Sequence, residues 1–365
     1  MTNLEQFQPK TSQTVDAIFA AWEKKSDFHR GYLGASQIGE PCARKLWYSF
    51  RWCGQEVFSG RMRRLFARGD VEESRMVADL QNIGCEVCIL DPETGRQFKV
   101  SDCGGHFQGH LDGCALGIPE ASKTWHVLEF KTHNTKSFQR LKRDGVLITK
   151  PMHFAQVQVE MHLTGMDRAL YLACNKDDDD LYSERIKYDK EYAAGMMERA
   201  RRVITSLRPP EKTGDCPSHE NCKYCHFCNL CHGNPVGTAV PCTATCRSCV
   251  LAEPRFDGNA RWVCNLKEKA LSVQDQEVAC SWHLFAAGIV TFGEVIEVKR
   301  NSDNSVYAEY MNAKDNSVWR NGPDREDGQF SSLELTRMPY STIAEGNGFN
   351  IIKRIKEMFA GEVMA

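Results

Sequence analysis

Glu129 and Lys131 close the run WHVLEFK (125–131), and Asp112 precedes them within Gly109-His110-Leu111-Asp112-Gly113. Side chains two apart on a strand share a face, so Glu129 and Lys131 point together while Phe130 turns to the other side. An Asp on a neighbouring strand can meet that Glu and share a divalent cation, and hard carboxylate oxygens suit Mg²⁺ or Mn²⁺. Such a cation polarises a phosphoryl oxygen and acidifies bound water, with Lys131 placed to orient the water or to offset charge on the phosphate. Glu73, on a helix after Gly69, offers a third carboxylate. The same residues also read as an Asp-Gly turn followed by a strand end reaching solvent. His110, two residues before Asp112, falls on its face at the edge of such a site. His126, between Trp125 and Val127, reads as a packed strand residue.

Thiols form the second chemical group. The chain has 17 cysteines, an odd number, and ten of them lie between Cys216 and Cys280. Clustered thiols in a reducing compartment point to metal ligation rather than to disulfides. Cys222-x2-Cys225-x5-Cys231 is followed by His232, with Cys216 and Cys228 as spare thiols and a lone Cys42 far upstream in EPCARKLWY. Cys246-x2-Cys249-x14-Cys264-x15-Cys280 has zinc-ribbon spacing and is expected to hold structural Zn²⁺. Cys242 or His283 could replace one of its ligands, and free cysteines in a poorly ordered segment are the other reading. Cys53, Cys85, Cys88, Cys103, Cys114 and Cys174 sit in apolar contexts and are expected in the core.

The 365 residues carry 46 Lys and Arg against 48 Asp and Glu, a net charge of −2, with 42% hydrophobic and 26% charged residues. That balance excludes wholesale disorder and is enough for two or three domains. No run reaches the roughly 18 apolar residues of a membrane span. The start MTNLEQFQPKTSQ has no cationic or apolar signal, so a cytoplasmic protein is expected. Locally the charge is uneven. Arg44, Lys45, Arg51, Arg61, Arg63, Arg64 and Arg68 face one acid, Glu56, and a second basic stretch holds Lys136, Arg140, Lys142, Arg143 and Lys150. Arg44, Lys45, Arg63, Arg64, Lys136 and Arg140 are the expected contacts to DNA phosphates. Trp47, Tyr48 and Trp52 interleave the first stretch and would either stack on unpaired bases or pack a helix. Asp177–Asp180 reads as a solvated turn. No G-x-x-x-x-G-K-[ST] loop appears, which argues against an ATPase motor.

The elements that must position these groups follow from periodicity. Helices are expected over 12–25 (Val15, Ile18, Phe19 and Trp22 on one face), after Ser36, over 69–82 and within 135–150. Further helices are expected over 153–165, over 189–207 and near 350–360. Strands are expected at 85–90, 97–100, 109–116 and 125–131, the last a buried central one. A further pair brackets the aspartate turn.

In order and spacing, G-x-x-x-E ending at Glu73, Asp112-Gly113, Glu129-x-Lys131 and the glutamines of AQVQVEMHLTG resemble the PD-(D/E)XK nuclease superfamily, in its RecB-like and phage-lambda-type exonuclease branches. The resemblance covers about residues 31–232. It implies a mixed sheet flanked by helices, with Glu73, Asp112 and Glu129 as metal-binding acids and Lys131 as the catalytic lysine. Gln156 and Gln158 match the motif bordering the active site, and Glu160 stands where the RecB-type form has Tyr. The CRISPR-associated and AddB-type members hold a 4Fe–4S cluster with one cysteine before the core and C-x2-C-x5-C after it. Cys42, Cys222, Cys225 and Cys231 are similar to that set, though four thiolates also suit Zn²⁺.

The expected architecture is an N-terminal helix (1–30), a nuclease domain with its iron–sulfur clip (31–232), a zinc module (233–290) and a β-rich tail with a final helix (291–365). The expected activity is metal-dependent exonucleolytic hydrolysis of DNA for phage or mobile-element recombination, repair or replication. DNA is the partner, with a recombination or single-strand-annealing protein as a further one. A non-catalytic nucleic-acid-binding scaffold and a site-specific endonuclease are the alternatives.

Overall fold

The computed structural model describes residues 12–24, 29–233, 236–302, 304–323 and 329–340. Along the chain run α1 (Gln13–Glu23), β1 (Leu33–Gly34), α2 (Ala43–Phe50), α3 (Gly60–Asn82), β2 (Glu86–Cys88), β3 (Lys99–Asp102), β4 (Phe107–His110), β5 (Gly113–Leu116) and β6 (His126–His133). Then come α4 (Thr135–Thr149), α5 (Pro151–Thr164), β7 (Arg168–Asn175), β8 (Leu181–Lys187) and α6 (Lys190–Thr205). The central sheet has the order β2-β5-β6-β7-β8; β6 pairs antiparallel with β5 and parallel with β7, so the sheet is mixed. Alternation along β6 divides two apolar layers. Leu128 and Phe130 meet Met76 and Leu80 of α3, whereas Val127 packs with Phe138, Leu141 and Val157 of α4 and α5.

Several boundaries differ from those read off the sequence. The helix expected from residue 69 begins at Gly60, where the Ser59 hydroxyl accepts from Met62 N. Gly69 lies inside it, because one interior glycine costs only about 1 kcal/mol. The helix expected after Ser36 is a 3₁₀ turn (Ala35–Gln37), and α2 starts only after Pro41, with Cys42 as its N-cap residue. A residue before proline is pushed out of helical backbone, which accounts for the delay. The strand expected over 109–116 is two: β4 joins β1 and β3 in a separate sheet, while β5 joins the central one. Asp112 sits at the break. Gly113 follows at φ 151°, and a Cβ there would lie 2.8 Å from the Cys88 carbonyl oxygen. On α1 the expected apolar face is only partly covered, with Val15 and Ile18 each 42% exposed.

Beyond α6 come α7 (Cys228–His232), the antiparallel strands β9 (Ala252–Pro254), β10 (Trp262–Cys264) and β11 (Lys269–Leu271), and α8 (Val273–Glu277). The tail is a four-stranded sheet of β12 (Gly293–Arg300), β13 (Val306–Asn312), β14 (Val318–Asn321) and β15 (Gln329–Phe330), followed by α9 (Ser332–Arg337). The helix expected near 350–360 lies outside the described residues. One apolar core links Leu33, Trp47, Val203, Phe227, Trp262, Phe285 and Tyr310. The fold is therefore mixed α/β, with a cysteine-rich region and a small β-rich tail. No helix among the described residues is long and apolar enough to cross a membrane.

Candidate active site

The antiparallel register sets Gly113 opposite Leu128, which carries Asp112 to the side of Glu129. Asp112 Oδ2 accepts from Phe130 N at 2.7 Å, so the backbone of β6 fixes this carboxylate. Glu129 is wholly buried, with Lys131 Nζ 2.5 Å from its Oε1. That contact lacks hydrogen-bond geometry, leaving Oε1 without a proper donor. Gln156 Nε2, on α5, donates to Glu129 Oε2 at 2.8 Å and to Glu160 Oε1 at 3.1 Å. Glu73 arrives from α3 in the opposite layer, close enough for the Asp112 and Lys131 charges to act on it.

Four carboxyl groups thus lie in the field of one ammonium. Burial pushes Glu73 up to about 7, and the Asp112 charge adds to that. Asp112 is also raised by burial, against the pull of Lys131 and of the Phe130 N–H. Burial raises Glu129, with the Asp112 and Glu73 charges adding to it, and raises Glu160, with the Glu129 and Asp112 charges adding to it. Burial works against the Lys131 ammonium, but Glu129, Asp112 and Glu160 more than offset it, so Lys131 stays charged. No group of three or more His, Cys, Asp or Glu among the described residues stands in metal-holding geometry. The Lys131 ammonium lies beside Glu129. The donor set nonetheless fits a hard divalent cation: all carboxylate oxygens, with Glu160 Oε2 buried and without a partner.

Glu160 is the residue that sequence reasoning gives no role. It lies one helical turn past Gln156, hence on the same face of α5, but only the packing of α5 on β6 turns that face toward Glu129. His133, His153 and Tyr171 are missed for the same reason. The Tyr171 hydroxyl is 3.0 Å from His133 Nε2 and 2.9 Å from His153 Nδ1. Burial lowers His133 to about 4 and His153 to about 3, helped by Lys150 and by Lys131, which keeps both imidazoles neutral. Gln158 faces away from the site, bonding Lys187 O and Asp189 N.

The basic residues separate into two groups. Arg44 is buried and donates to Tyr48 Oη and to the carbonyls of Pro210 and Gly288, so it is not a phosphate contact. Lys45 is taken by Glu40 at 2.7 Å, and Arg63 is half-buried, donating to Phe58 O. Arg64, Lys136 and Arg140 are exposed. Lys136, Arg140 and Lys150 line a cavity of about 240 Å³ with Ser137. Trp47, Tyr48 and Trp52 are at most 2% exposed, which removes them as base-stacking platforms; their large apolar rings fill the core instead. His110 reaches the Tyr32 hydroxyl at 3.4 Å, while His126 is buried on Thr124 O. Asp177–Asp180 form an exposed turn, with Asp179 paired to Arg75 and Asp180 to Lys142.

Cys42 shares a small pocket with Cys222, Cys225, Cys228, Cys231 and His232. Burial raises the Cys222 thiol, and the Cys231, Cys228 and Cys42 thiols add to this. Cys216 is exposed and turns to Ser218. Of the six cysteines expected in the core, Cys53, Cys85, Cys103, Cys114 and Cys174 are buried and Cys88 is half-buried.

No protein-family model matches the chain, and no curated protein matches it. Solved structures resemble parts of it. The structure of SSO0001 is 15% identical at a TM-score of 0.37, over 60% of this chain and 96% of that one. LHK-Exo in complex with dAMP, an alkaline exonuclease from Laribacter hongkongensis, is 18% identical at 0.35, over 52% and 90%. A phage-related exonuclease from Haemophilus somnus 129PT is 14% identical at 0.34, over 48% and 92%. Likeness this slight leaves the site to be read from its own side chains.

Proposed function

We propose that this chain is a metal-dependent deoxyribonuclease of the PD-(D/E)XK type that hydrolyses phosphodiester bonds from DNA ends. The observation that carries the reading is the convergence of Glu73, Asp112, Glu129 and Glu160 on the Lys131 ammonium. Like charges gathered this closely are costly without a cation, and a scaffold has no need of them. Glu73, Asp112 and Glu129 would hold Mg²⁺ or Mn²⁺, which supplies Lewis-acid polarisation of a phosphoryl oxygen. Lys131 remains an ammonium and offsets charge growing on the phosphate. The Phe130 N–H fixes Asp112 and Gln156 fixes Glu129, so neither carboxylate has to reorganise as the reaction proceeds. Arg64, Lys136 and Arg140 hold backbone phosphates, giving salt-sensitive binding with little sequence preference.

In this reading the nuclease unit spans 31–232, the cysteine-rich module 233–290 and the tail 291–365. Cys42, Cys222, Cys225 and Cys231 hold a 4Fe–4S cluster that clips the start of α2 to the segment after α6. The setting is recombination, repair or replication of a phage or mobile element in the host cytoplasm.

End-labelled linear and closed circular DNA, incubated with and without Mn²⁺, test the proposal. Linear DNA should be degraded only with the cation and circular DNA spared, with Lys131→Ala slower by about 10²–10³-fold. Cleavage of circular DNA at a fixed position would establish the endonuclease instead, and cleavage unchanged in Lys131→Ala would remove the site.

A further inference from the structure

Arg51 and Arg247 are 0% and 2% exposed, and among the described residues neither has a carboxylate at ion-pair distance. Arg51 Nη1 donates to the carbonyls of Arg247, Cys249 and Ala252. Arg247 donates to the carbonyls of Phe50 and Gly31 and to Gln276 Oε1. Indole faces complete the cage: Trp47 and Trp262 against Arg51, Trp262 and Trp52 against Arg247, the last at 3.9 Å. Carbonyls and rings solvate a cation but leave its charge standing. Glu253, whose field reaches Arg51, is itself paired with Arg255. Two positive charges therefore lie in a dry interior, an arrangement that persists only with compensation.

Two thiols adjoin this cage: Cys249, whose carbonyl accepts from Arg51 and whose thiol lies in its field, and Cys246, the chain neighbour of Arg247; two more gather on them. Arg247 sits in the turn between Cys246 and Cys249, where Cys249 N donates to Cys246 O at 3.2 Å. The β9–β10 register places Cys264 opposite Ala252, three residues past Cys249. Cys246 Sγ reaches Val278 O at 3.5 Å, two residues before Cys280, and Cys249 bridges to Phe285 just beyond it. Each of Cys246 and Cys249 is close enough to feel the Cys280 charge, and Cys246 also feels Cys264. Of the two substitutes that spacing allows, Cys242 is engaged with Cys53, while His283 bonds Thr245 O and Ser248 Oγ through Nε2 and keeps a buried Nδ1 without a partner.

As neutral thiols the four leave the guanidiniums unbalanced. As four thiolates on one divalent cation they carry a net charge of −2, equal and opposite to the two arginines. We propose that Cys246, Cys249, Cys264 and Cys280 hold a thiophilic divalent cation, zinc, and that this tetrathiolate centre is the counter-ion of Arg51 and Arg247. The side chains as placed are not yet in metal-holding geometry. Zinc requires the sulfurs to close to about 2.3 Å from it, on a backbone frame that already gathers them. The centre would fasten the cysteine-rich module to the end of α2, where Arg51 is the C-cap residue, so that metal-binding energy becomes folding energy.

Elemental analysis and zinc K-edge absorption on the full chain, purified without chelator, test this. About one zinc per chain in an S₄ shell is expected, kept by Cys222→Ser/Cys225→Ser and lost from Cys246→Ser/Cys264→Ser. Cys264→His, which retains a ligand, should keep the metal and convert the shell to S₃N. Zinc absent from the wild type, zinc surviving Cys246→Ser/Cys264→Ser, or an S₄ shell unchanged in Cys264→His would each overturn the assignment. None of these readouts depends on DNA cleavage.

Discussion

Beside β6, four carboxyl groups share one ammonium, and that Lys131 side chain keeps 28% of its surface in water. Under the cysteine-rich module, two guanidiniums share no carboxylate among the described residues and are almost wholly excluded from water. Both regions hold unbalanced charge, of opposite sign, and they differ in what can reach it. The carboxylate site opens toward solvent, so a cation and a phosphodiester can arrive to balance it. The arginine cage is closed, so the negative charge that balances it has to come from thiolates already in the chain, gathered on a metal. Unbalanced charge at an opening serves binding and chemistry, whereas unbalanced charge in a closed core serves assembly.

The largest effect that could break this contrast is the pH dependence of stability without divalent cation. Glu73 is raised to about 7, and Asp112, Glu129 and Glu160 are raised with it. The folded state therefore holds protons that the unfolded chain releases near pH 4. Stability is full below that and falls as pH rises through about 7. In EDTA the Tm should drop steadily between about pH 5 and 7.5, and Mn²⁺ should flatten the curve. A flat curve in EDTA would mean that the carboxylates are not in each other's field.

The closed region is sharpened by Arg51→Met. Loss of this buried cation should destabilise the zinc-loaded protein by about 3–5 kcal/mol, because the thiolate centre is left unbalanced. Chelated protein should lose clearly less, since the charge removed there has no counter-ion. Urea unfolding of both forms measures the difference, and equal losses would reduce Arg51 to packing.

A smaller effect separates two neighbours on α5. Gln156→Leu frees Glu129 and should lower kcat by about 10–100-fold. Gln158→Leu, whose side chain serves Lys187 and Asp189, should leave kcat alone while costing about 1 kcal/mol of stability. Steady-state rates beside thermal melts read both outcomes.

How much of this was legible in the sequence depends on the range of the physics involved. WHVLEFK reads as a buried central strand because strand alternation is local, and β6 occupies that position with Glu129 and Lys131 on one face. Gly165 as a helix stop and the hairpin around Asp177–Asp180 are equally local, and both appear. Glu160 was not legible as a site residue, because its value depends on which face of α5 meets β6. Arg44 was misread as a phosphate contact, since a short basic helix carries no sign of which cations will be buried among carbonyls. The span of α3 was misread because Gly69 weakens a helix without ending it.

The most direct test of the carboxylate site is Mn²⁺-dependent cleavage of end-labelled linear DNA by Asp112→Ala, with DNA binding measured on the same preparation. The Asp112 carboxylate accepts a hydrogen bond from a backbone N–H, and the variant should fold and bind DNA as the wild type does. Its cleavage should disappear, because the cation loses a ligand. EDTA-sensitive cleavage at the wild-type rate by Asp112→Ala would contradict the assignment of the site.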